Sequence, residues 1–569
     1  MQSGDCVAED QSPACSSRPF PSGPSCISKL LTVRYDIVVI FTPAAGEPSG
    51  LGELIKIEVD RNQMTVTTPS SSDVSEAGLF RLSQTEVRVG LSVLLLSLVA
   101  RWQALSPGYS IDDFVQVLDD KPLSFGLLAA QGRALTYFLR LALGALGASP
   151  ANSEPLSMML LTLALVAAGL IVCRLWGIHG FAESLIVVSF IALHPYQSEM
   201  FTFKAAALYL AIPLGCSFAA ILASTRSARC WIWSLVALVC SLCIYQAVLN
   251  YLAMALMFSV AFHLSRPAGS NPTFWPRLRS QLKLILGAVI LYFVTAYAVS
   301  RISGVPLGTR TVFIGLNEIG SRINQAYELY KVLFFRPEPI LPSGTKALLL
   351  LTLAFALGAY LVKALRRGAY SAVRRVALAF ALILVAGLPL CVGVILVLGD
   401  WWPAPRVLAQ TGMFWGGSLT LAYSLAQPLV RRIMLTSVVV IILSFIGISN
   451  HVFKDQLRVN MRDLATANRM VGRIEALPDF AQVQYVVLYG GDYGYWSPIT
   501  TAQRDMNISA LFAEWSKVPV IDEVSGYAFK PAPDGSSAKA KAFCETAPKW
   551  PAPGSVVKLD TVAVVCREK

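Results

Sequence analysis

Charged side chains are scarce in this chain. They make up 14% of its 569 residues, against about 25% in ordinary globular proteins. Hydrophobic residues make up 55%, a balance that excludes a disordered chain, a fibrous repeat and a small disulfide scaffold. No glycine-rich nucleotide-binding loop is present. The 11 cysteines show no metal-ligand spacing. No pair of repeated halves is visible, which argues against a transporter or flippase built from such repeats. The net charge of +12 does not point to nucleic acid in a chain this apolar. Its basic residues are better read as marking the cytoplasmic side of a membrane.

What is abundant is the long apolar run. A helix needs about 20 mainly apolar residues to cross a bilayer. Candidate spans are Val87–Leu105, Leu156–Leu175, Phe181–Leu193, Ala205–Ala223, Leu284–Val299, Ala347–Leu361, Val376–Leu398, Val407–Leu425 and Ile433–Ile448. Trp231–Leu264 is too long for one crossing and reads as two helices with a tight turn near Tyr245-Gln246. The expectation is a mainly α, polytopic membrane protein with about eleven transmembrane helices. Loop charge tests that count. Arg174, Arg226, Arg229, Arg266, Arg277, Arg279, Lys283, Lys363, Arg366, Arg367, Arg374, Arg375, Arg431 and Arg432 all fall on one side only if Trp231–Leu264 is split. The N-terminus is then cytoplasmic. The connections 106–155, 194–204, 245–250, 300–345 and 399–406, and the tail from about residue 450, lie on the outer side.

Three regions follow. Residues 1–86 are polar, rich in Ser, Pro and Gly, and contain Cys6, Cys15 and Cys26. They lack the charged start and apolar core of a cleavable signal, and Met64 is an alternative translation start. Residues 87–449 hold the spans. Residues 450–569 read as a small α/β domain on the outer side, with a helix over Asp455–Leu477 and strands over Val483–Leu488 and Val556–Val565. Cys544 and Cys566 would face an oxidising compartment there and either pair or remain thiols. Gly490-Gly491-Asp492 is a turn signal.

Polar chemistry gathers on the outer side. Asp112-Asp113, just after the first span, are adjacent carboxylates. Mutual repulsion raises the pKa of one, which suits a general acid or base, or the two grip a cation. A solvated helix cap explains the pair equally well. Asp119-Asp120 reads as a loop or cap pair. The stretch 121–148 is amphipathic, with Arg133 and Arg140 among its leucines, as in helices that lie in the interface plane. His194–Lys204 carries Glu199 and Lys204 at membrane depth or close to it, where ionisable groups face a cavity or a partner. Lys204 would balance a phosphate, pair with an Asp or snorkel. Tyr245 and Gln246 offer a hydroxyl and an amide to a sugar. In Asp400-Trp401-Trp402-Pro403-Ala404-Pro405-Arg406, Arg406 is a cation on the side that should lack them and a candidate phosphate ligand. The tryptophans fit an aromatic belt as well. Arg310 is a second candidate phosphate ligand.

These patterns together resemble the Gtr-type membrane glucosyltransferases, including the O-antigen serotype-converting enzymes, within the wider GT-C class. The resemblance rests on Asp112-Asp113-Phe114 after the first span and Gly132-Arg133-Ala134-Leu135 about twenty residues later. It continues with Pro195, Glu199, Phe203 and Lys204 before a later span, and with the turn Tyr245-Gln246-Ala247. It covers roughly residues 85–450. The family often has an Asp shortly after the basic residue, where this chain has Ala205-Ala206-Ala207, which weakens an ion-paired role for Lys204. The resemblance implies a GT-C-like fold in the bacterial inner membrane and transfer on the periplasmic face. The donor would be a polyprenyl-phosphate sugar, with glucose on undecaprenyl phosphate the first candidate. The acceptor would be a hydroxyl of a lipid-linked glycan such as O-antigen. Asp112 or Asp113 would be the base, Arg406 with Lys204 or Arg133 would stabilise the leaving phosphate, and Tyr245, Gln246 and Glu199 would contact the sugar. Adjacent carboxylates permit a divalent metal, Mg2+ or Mn2+, without requiring one. The alternatives are a transporter of lipid-linked sugars and an O-antigen ligase or polymerase. The ligase would favour a more Arg-rich outer loop than 300–345.

Overall fold

The computed structural model describes residues 81–106, 108–118, 124–148, 150–267, 272–491, 507–530 and 532–568. Met64, the three N-terminal cysteines, Asp119-Asp120 and Asp492 lie outside them. Helix α1, Gln84–Arg101, starts on a capping box in which Ser83 and Glu86 satisfy each other's backbone N–H. Three short helices follow: α2 (Ile111–Leu118), α3 (Phe125–Ala130) and α4 (Ala134–Ala145). The predicted amphipathic stretch is thus α3 and α4, broken at Gly132, whose φ of 68° lies in the left-handed region. Helix α5 (Pro150–Trp176) and α6 (Phe181–Leu193) form the next antiparallel pair.

The expected outer connection 194–204 is buried throughout. It folds as a 3₁₀ turn, the short helix α7 (Ser198–Thr202) and a second 3₁₀ turn before α8 (Ala207–Ala223). Irregular backbone survives burial when side chains satisfy it. Here Gln456 Nε2 donates to Thr202 O at 3.2 Å, and Asp113 accepts from the Lys204 and Ala205 amides. Helices α9 (Ala228–Leu242) and α10 (Val248–Ser265) turn between residues 243 and 247, so Trp231–Leu264 is split as the charge pattern requires. The long α11 (Phe274–Ser303) leads into the amphipathic α12 (Ile319–Phe334) and then α13 (Ser343–Arg366). Helix α14 (Tyr370–Leu382) passes through a π-helical turn into α15 (Leu388–Val392). Pro389 lacks the N–H that a regular turn would use there.

After α16 (Pro405–Leu408), α17 (Thr411–Leu425) packs against α6 across Gly412 and Gly416. A Cβ at either glycine would collide with Phe190 of α6, the small-residue device by which apolar helices approach closely. The last helix of the bundle, α18 (Pro428–Glu475), runs 48 residues without a break, about 72 Å. Its first half is apolar. Its second half carries Ala467, Met470 and Ile474 into the core of the C-terminal lobe.

Among the described residues, eight helical segments are long and apolar enough to cross a membrane. The other expected spans, α6, α9 and α17, have 13, 15 and 15 residues, about 20–22 Å. Helices α6 and α17 are short because His194-Pro195 ends one and the Arg406 turn precedes the other. Both are buried almost all round. Rows of exposed apolar side chains face outward elsewhere, such as Leu91, Leu95 and Val99 on α1 and Leu286, Ile290 and Val294 on α11. Water would not tolerate such a surface. The molecule is a mainly helical, polytopic membrane protein. Arg174, Arg266 and Arg277 meet around one hollow, so the ends of α5 and α10 and the start of α11 share one face of the bundle.

In the lobe, β1 (Tyr485–Tyr489) pairs in parallel with β3 (Val562–Cys566), which pairs antiparallel with β2 (Val556–Leu559). The single strand expected over Val556–Val565 is therefore a hairpin. Asp560 takes a left-handed φ of 56° at its turn. Helix α19 (Glu514–Ser525) packs on α18, and α20 (Asp534–Thr546) covers the sheet. Cys544 of α20 and Cys566 of β3 form a disulfide.

Candidate active site

At the bundle end opposite the Arg174–Arg277 hollow, four segments meet around a cleft. They are the start of α4, the α9–α10 turn, the loop after α11 and the stretch from residue 394 to 407. Arg133, Tyr245, Gln246, Arg310 and Arg406 all line it. The sequence separates them by more than 270 residues, and local rules explain how each arrives.

Gly132 reverses the chain so that Arg133 projects from the start of α4. A Cβ at Gly132 would strike the Tyr292 hydroxyl. Arg133 Nε donates to Gln246 Oε1 at 3.0 Å, and its guanidinium lies 5.3 Å from the Tyr245 ring centre. Gln246 Nε2 donates to Gln131 O and to the Tyr292 hydroxyl, both at 2.9 Å. The amide expected to greet a sugar is therefore engaged in aiming Arg133. The Tyr245 hydroxyl is buried and has no hydrogen-bond partner among the described residues.

Arg406 follows Pro405 in the first turn of α16. Its backbone N–H donates to Glu199 Oε2 at 2.6 Å and its Nη1 to Glu199 Oε1 at 2.7 Å. Glu199 is wholly buried, so its carboxylate caps α16 and fixes the guanidinium together. The Phe203 ring lies 4.6 Å from that guanidinium. Arg310 Nε donates to Asp400 Oδ2 at 3.1 Å, and the guanidinium lies 5.7 Å from the Trp402 ring. Main-chain bonds tie the two loops here: Ile314 N to Val397 O at 3.0 Å, and Gly399 N to Val312 O at 2.7 Å.

Charge in the cleft is unbalanced toward positive. Arg406 faces Glu199 and Arg310 faces Asp400, whereas Arg133 has no carboxylate partner among the described residues. Burial, and then the like charges of Arg310 and Arg406, lower the Arg133 pKa; the buried Tyr245 opposes them. An anion placed among the three guanidinia relieves that strain.

The acidic pair sits in a different corner. Asp113 is buried. Its Oδ2 accepts from the Ser110 amide at 2.9 Å, the Ser110 hydroxyl at 2.8 Å and the Lys204 amide at 3.2 Å, and its Oδ1 accepts from the Ala205 amide at 3.0 Å. Burial raises its carboxyl pKa to about 6, and those donors hold it from rising further. Asp112, half-buried, accepts from Trp515 Nε1 of α19 at 3.0 Å. Lys204 is ion-paired after all, to Glu154 at the start of α5, and its Nζ also donates to Ser106 O at 2.6 Å. It turns toward Glu154 and Ser106 and does not line the arginine cleft, whereas the ring of Phe203, the residue before it, lies against Arg406.

A divalent metal finds little here. Both Asp113 oxygens already hold N–H groups, and among the described residues no three His, Cys, Asp or Glu side chains cluster as a metal site. Sequence reasoning missed Asp400 and Trp402 as cleft-lining groups, although both stand in the run that drew attention to Arg406. It also missed Glu154, Tyr292 and Trp515, which carry no local signal because only the tertiary fold brings them to their partners.

A family model described as glucosyl transferase GtrII matches residues 104–421. The matched range contains every residue of the arginine cleft and the acidic pair. No curated protein matches the chain, and no solved structure does.

Proposed function

Because the chain belongs to the GtrII glucosyl transferase family and is a polytopic membrane protein, we propose that it moves glucose from a polyprenyl-phosphate carrier to a hydroxyl of a lipid-linked glycan, such as O-antigen. The reaction takes place at the periplasmic face of the bacterial inner membrane, with the N-terminus cytoplasmic and the C-terminal lobe periplasmic. The observation that carries this reading is the convergence of Arg133, Arg310 and Arg406 with Tyr245 at one end of the helix bundle. Its orientation is supported by Arg174, Arg266 and Arg277 collecting at the other end.

The acceptor oxygen bonds to the anomeric carbon while the bond from that carbon to the phosphate oxygen breaks, with inversion. The bonding pair leaves with the phosphate, and the acceptor proton passes to Asp112. The products are the glycoside and polyprenyl phosphate. Negative charge grows on the leaving phosphate, where preorganised guanidinia stabilise it without reorganising. Glu199 and Asp400 act as positioning residues that keep Arg406 and Arg310 in place. Gln246 does the same for Arg133, and the Tyr245 hydroxyl binds a sugar hydroxyl. Asp113 holds the Phe203–Ala205 turn beside Arg406 and leaves Asp112 as the base.

The test is transfer of labelled glucose from polyprenyl-phosphate glucose to a lipid-linked glycan in membranes. Release of polyprenyl phosphate should match glycoside formed. Asp112→Asn should lower kcat by about 10²–10⁴-fold with the donor KM little changed. Full turnover in that variant removes the base assignment. Movement of intact donor across the membrane, without transfer, overturns the function.

A further inference from the structure

We propose that the isoprenoid chain of the donor lies in the apolar groove between α4, α9 and α11, entering the arginine cleft past Gly132. The proposal rests on the polyprenyl-phosphate reading above. It adds which wall of the protein holds the lipid.

The groove is lined by Leu135 and Phe138 of α4, Val239 and Cys240 of α9, and Ala296 and Val299 of α11, and its wall is apolar. The Thr295 hydroxyl donates back to Leu291 O of its own helix at 2.8 Å. Phe138 is 55% exposed and Cys240 is exposed, so the groove opens outward to where lipid would lie.

Two points of the chain join it to the cleft. Gly132 lines the groove, and Arg133, the next residue, lines the cleft; Cys243 lines the groove and Tyr245 the cleft. Charge is complementary along that path, because Arg133 is the guanidinium without a carboxylate partner among the described residues. A second apolar hollow, between α12 and Leu396-Val397, adjoins the cleft from the far wall. Its cation is already engaged: Arg322 Nη2 donates to Gly399 O at 3.1 Å, its Nη1 donates to Ile395 O, and its guanidinium lies 5.1 Å from the Trp401 ring. Its guanidinium is thus turned to main-chain carbonyls, whereas that of Arg133 faces the cleft.

A lipid tail gains little by leaving one apolar medium for another. The groove therefore aligns the donor more than it attracts it. Filling it should harm long-chain donors and leave short ones alone.

The full-length protein is tested in two ways. With Cys240→Trp, kcat/KM for a long-chain polyprenyl-phosphate glucose should fall about tenfold or more, while a donor of a few isoprene units is turned over as before. Equal loss with both donors, or no loss with either, overturns the groove. Independently, a diazirine-bearing polyprenyl phosphate without sugar should label the unmutated chain on residues 239–243 and 295–299, and a diazirine phosphatidylglycerol should not. Labels elsewhere, or equal labelling by the phospholipid, overturn it. Labelling in the groove with no sugar transfer would remove the enzymatic reading and keep the lipid site; transfer with labels elsewhere would do the reverse.

Discussion

The arginine cleft and the acidic corner stand only a few residues apart along the Phe203–Ala205 turn, yet they treat charge in opposite ways. In the cleft, carboxylates serve guanidinia that still face open space: Glu199 is wholly buried behind Arg406, and Asp400 steadies the half-open Arg310. In the corner, Asp113 faces inward and its oxygens meet four donors from the protein itself. The same property, charge beside a membrane, marked both in the sequence. What separates them is the direction in which the charge remains available. A group saturated by backbone N–H builds the fold, and one held from behind by a single acid is left to meet a ligand.

The largest effect expected from breaking this contrast is on stability. Arg406→Ala takes the guanidinium away from the buried Glu199 carboxylate, at a cost of about 3–5 kcal/mol. Melting in detergent should show it, and the Arg406→Ala/Glu199→Ala double variant should recover part. An unchanged melting point in the single variant would mean that the pair does not hold the cleft.

Next comes pH. With its carboxyl raised from 3.8 to about 6, folded Asp113 keeps a proton that the unfolded chain has already lost between pH 4 and 6. Its contribution to stability therefore falls by about 3 kcal/mol as pH rises through that window, and is flat above it. The stability of the wild type minus that of Asp113→Asn should follow this curve. A difference independent of pH would show that Asp113 is not the buried group described. The smallest effect belongs to Gly132→Ala, about 1–2 kcal/mol from the left-handed backbone. The added methyl also presses on Tyr292, so donor KM should rise more than melting falls. Unchanged KM would detach Gly132 from the site.

Much of this arrangement was legible in the sequence. Apolar runs and loop arginines gave the order of the helices, including the split at Tyr245-Gln246, because lipid imposes length and charge rules on each segment separately. Arg406 stood out as a cation on the side that should lack cations, Arg310 as a second candidate phosphate ligand, and Arg133 through the Gly-Arg pattern of the resemblance. Roles were harder to read. Gln246 reads as a sugar ligand until Tyr292 and Gln131 are seen to engage its amide. Lys204 reads as a partner for a phosphate or an Asp, or as a snorkelling end, until Glu154 arrives from α5. Those partners lie about 46 to 115 residues away, and no local period encodes them. The hairpin at Asp560 escaped because two all-apolar strands joined by a short turn look like one long strand.

In the proposed reaction the cleft, not the acidic corner, grips the phosphate of the donor. The direct measurement is equilibrium binding of polyprenyl phosphate to the wild type, Arg133→Ala and Asp112→Asn, each first shown to fold. Arg133→Ala should weaken binding about tenfold or more, as expected for losing a charge-assisted contact of about 1.5–3 kcal/mol, while Asp112→Asn binds like the wild type. Undiminished binding by Arg133→Ala, or a loss confined to Asp112→Asn, would contradict the account.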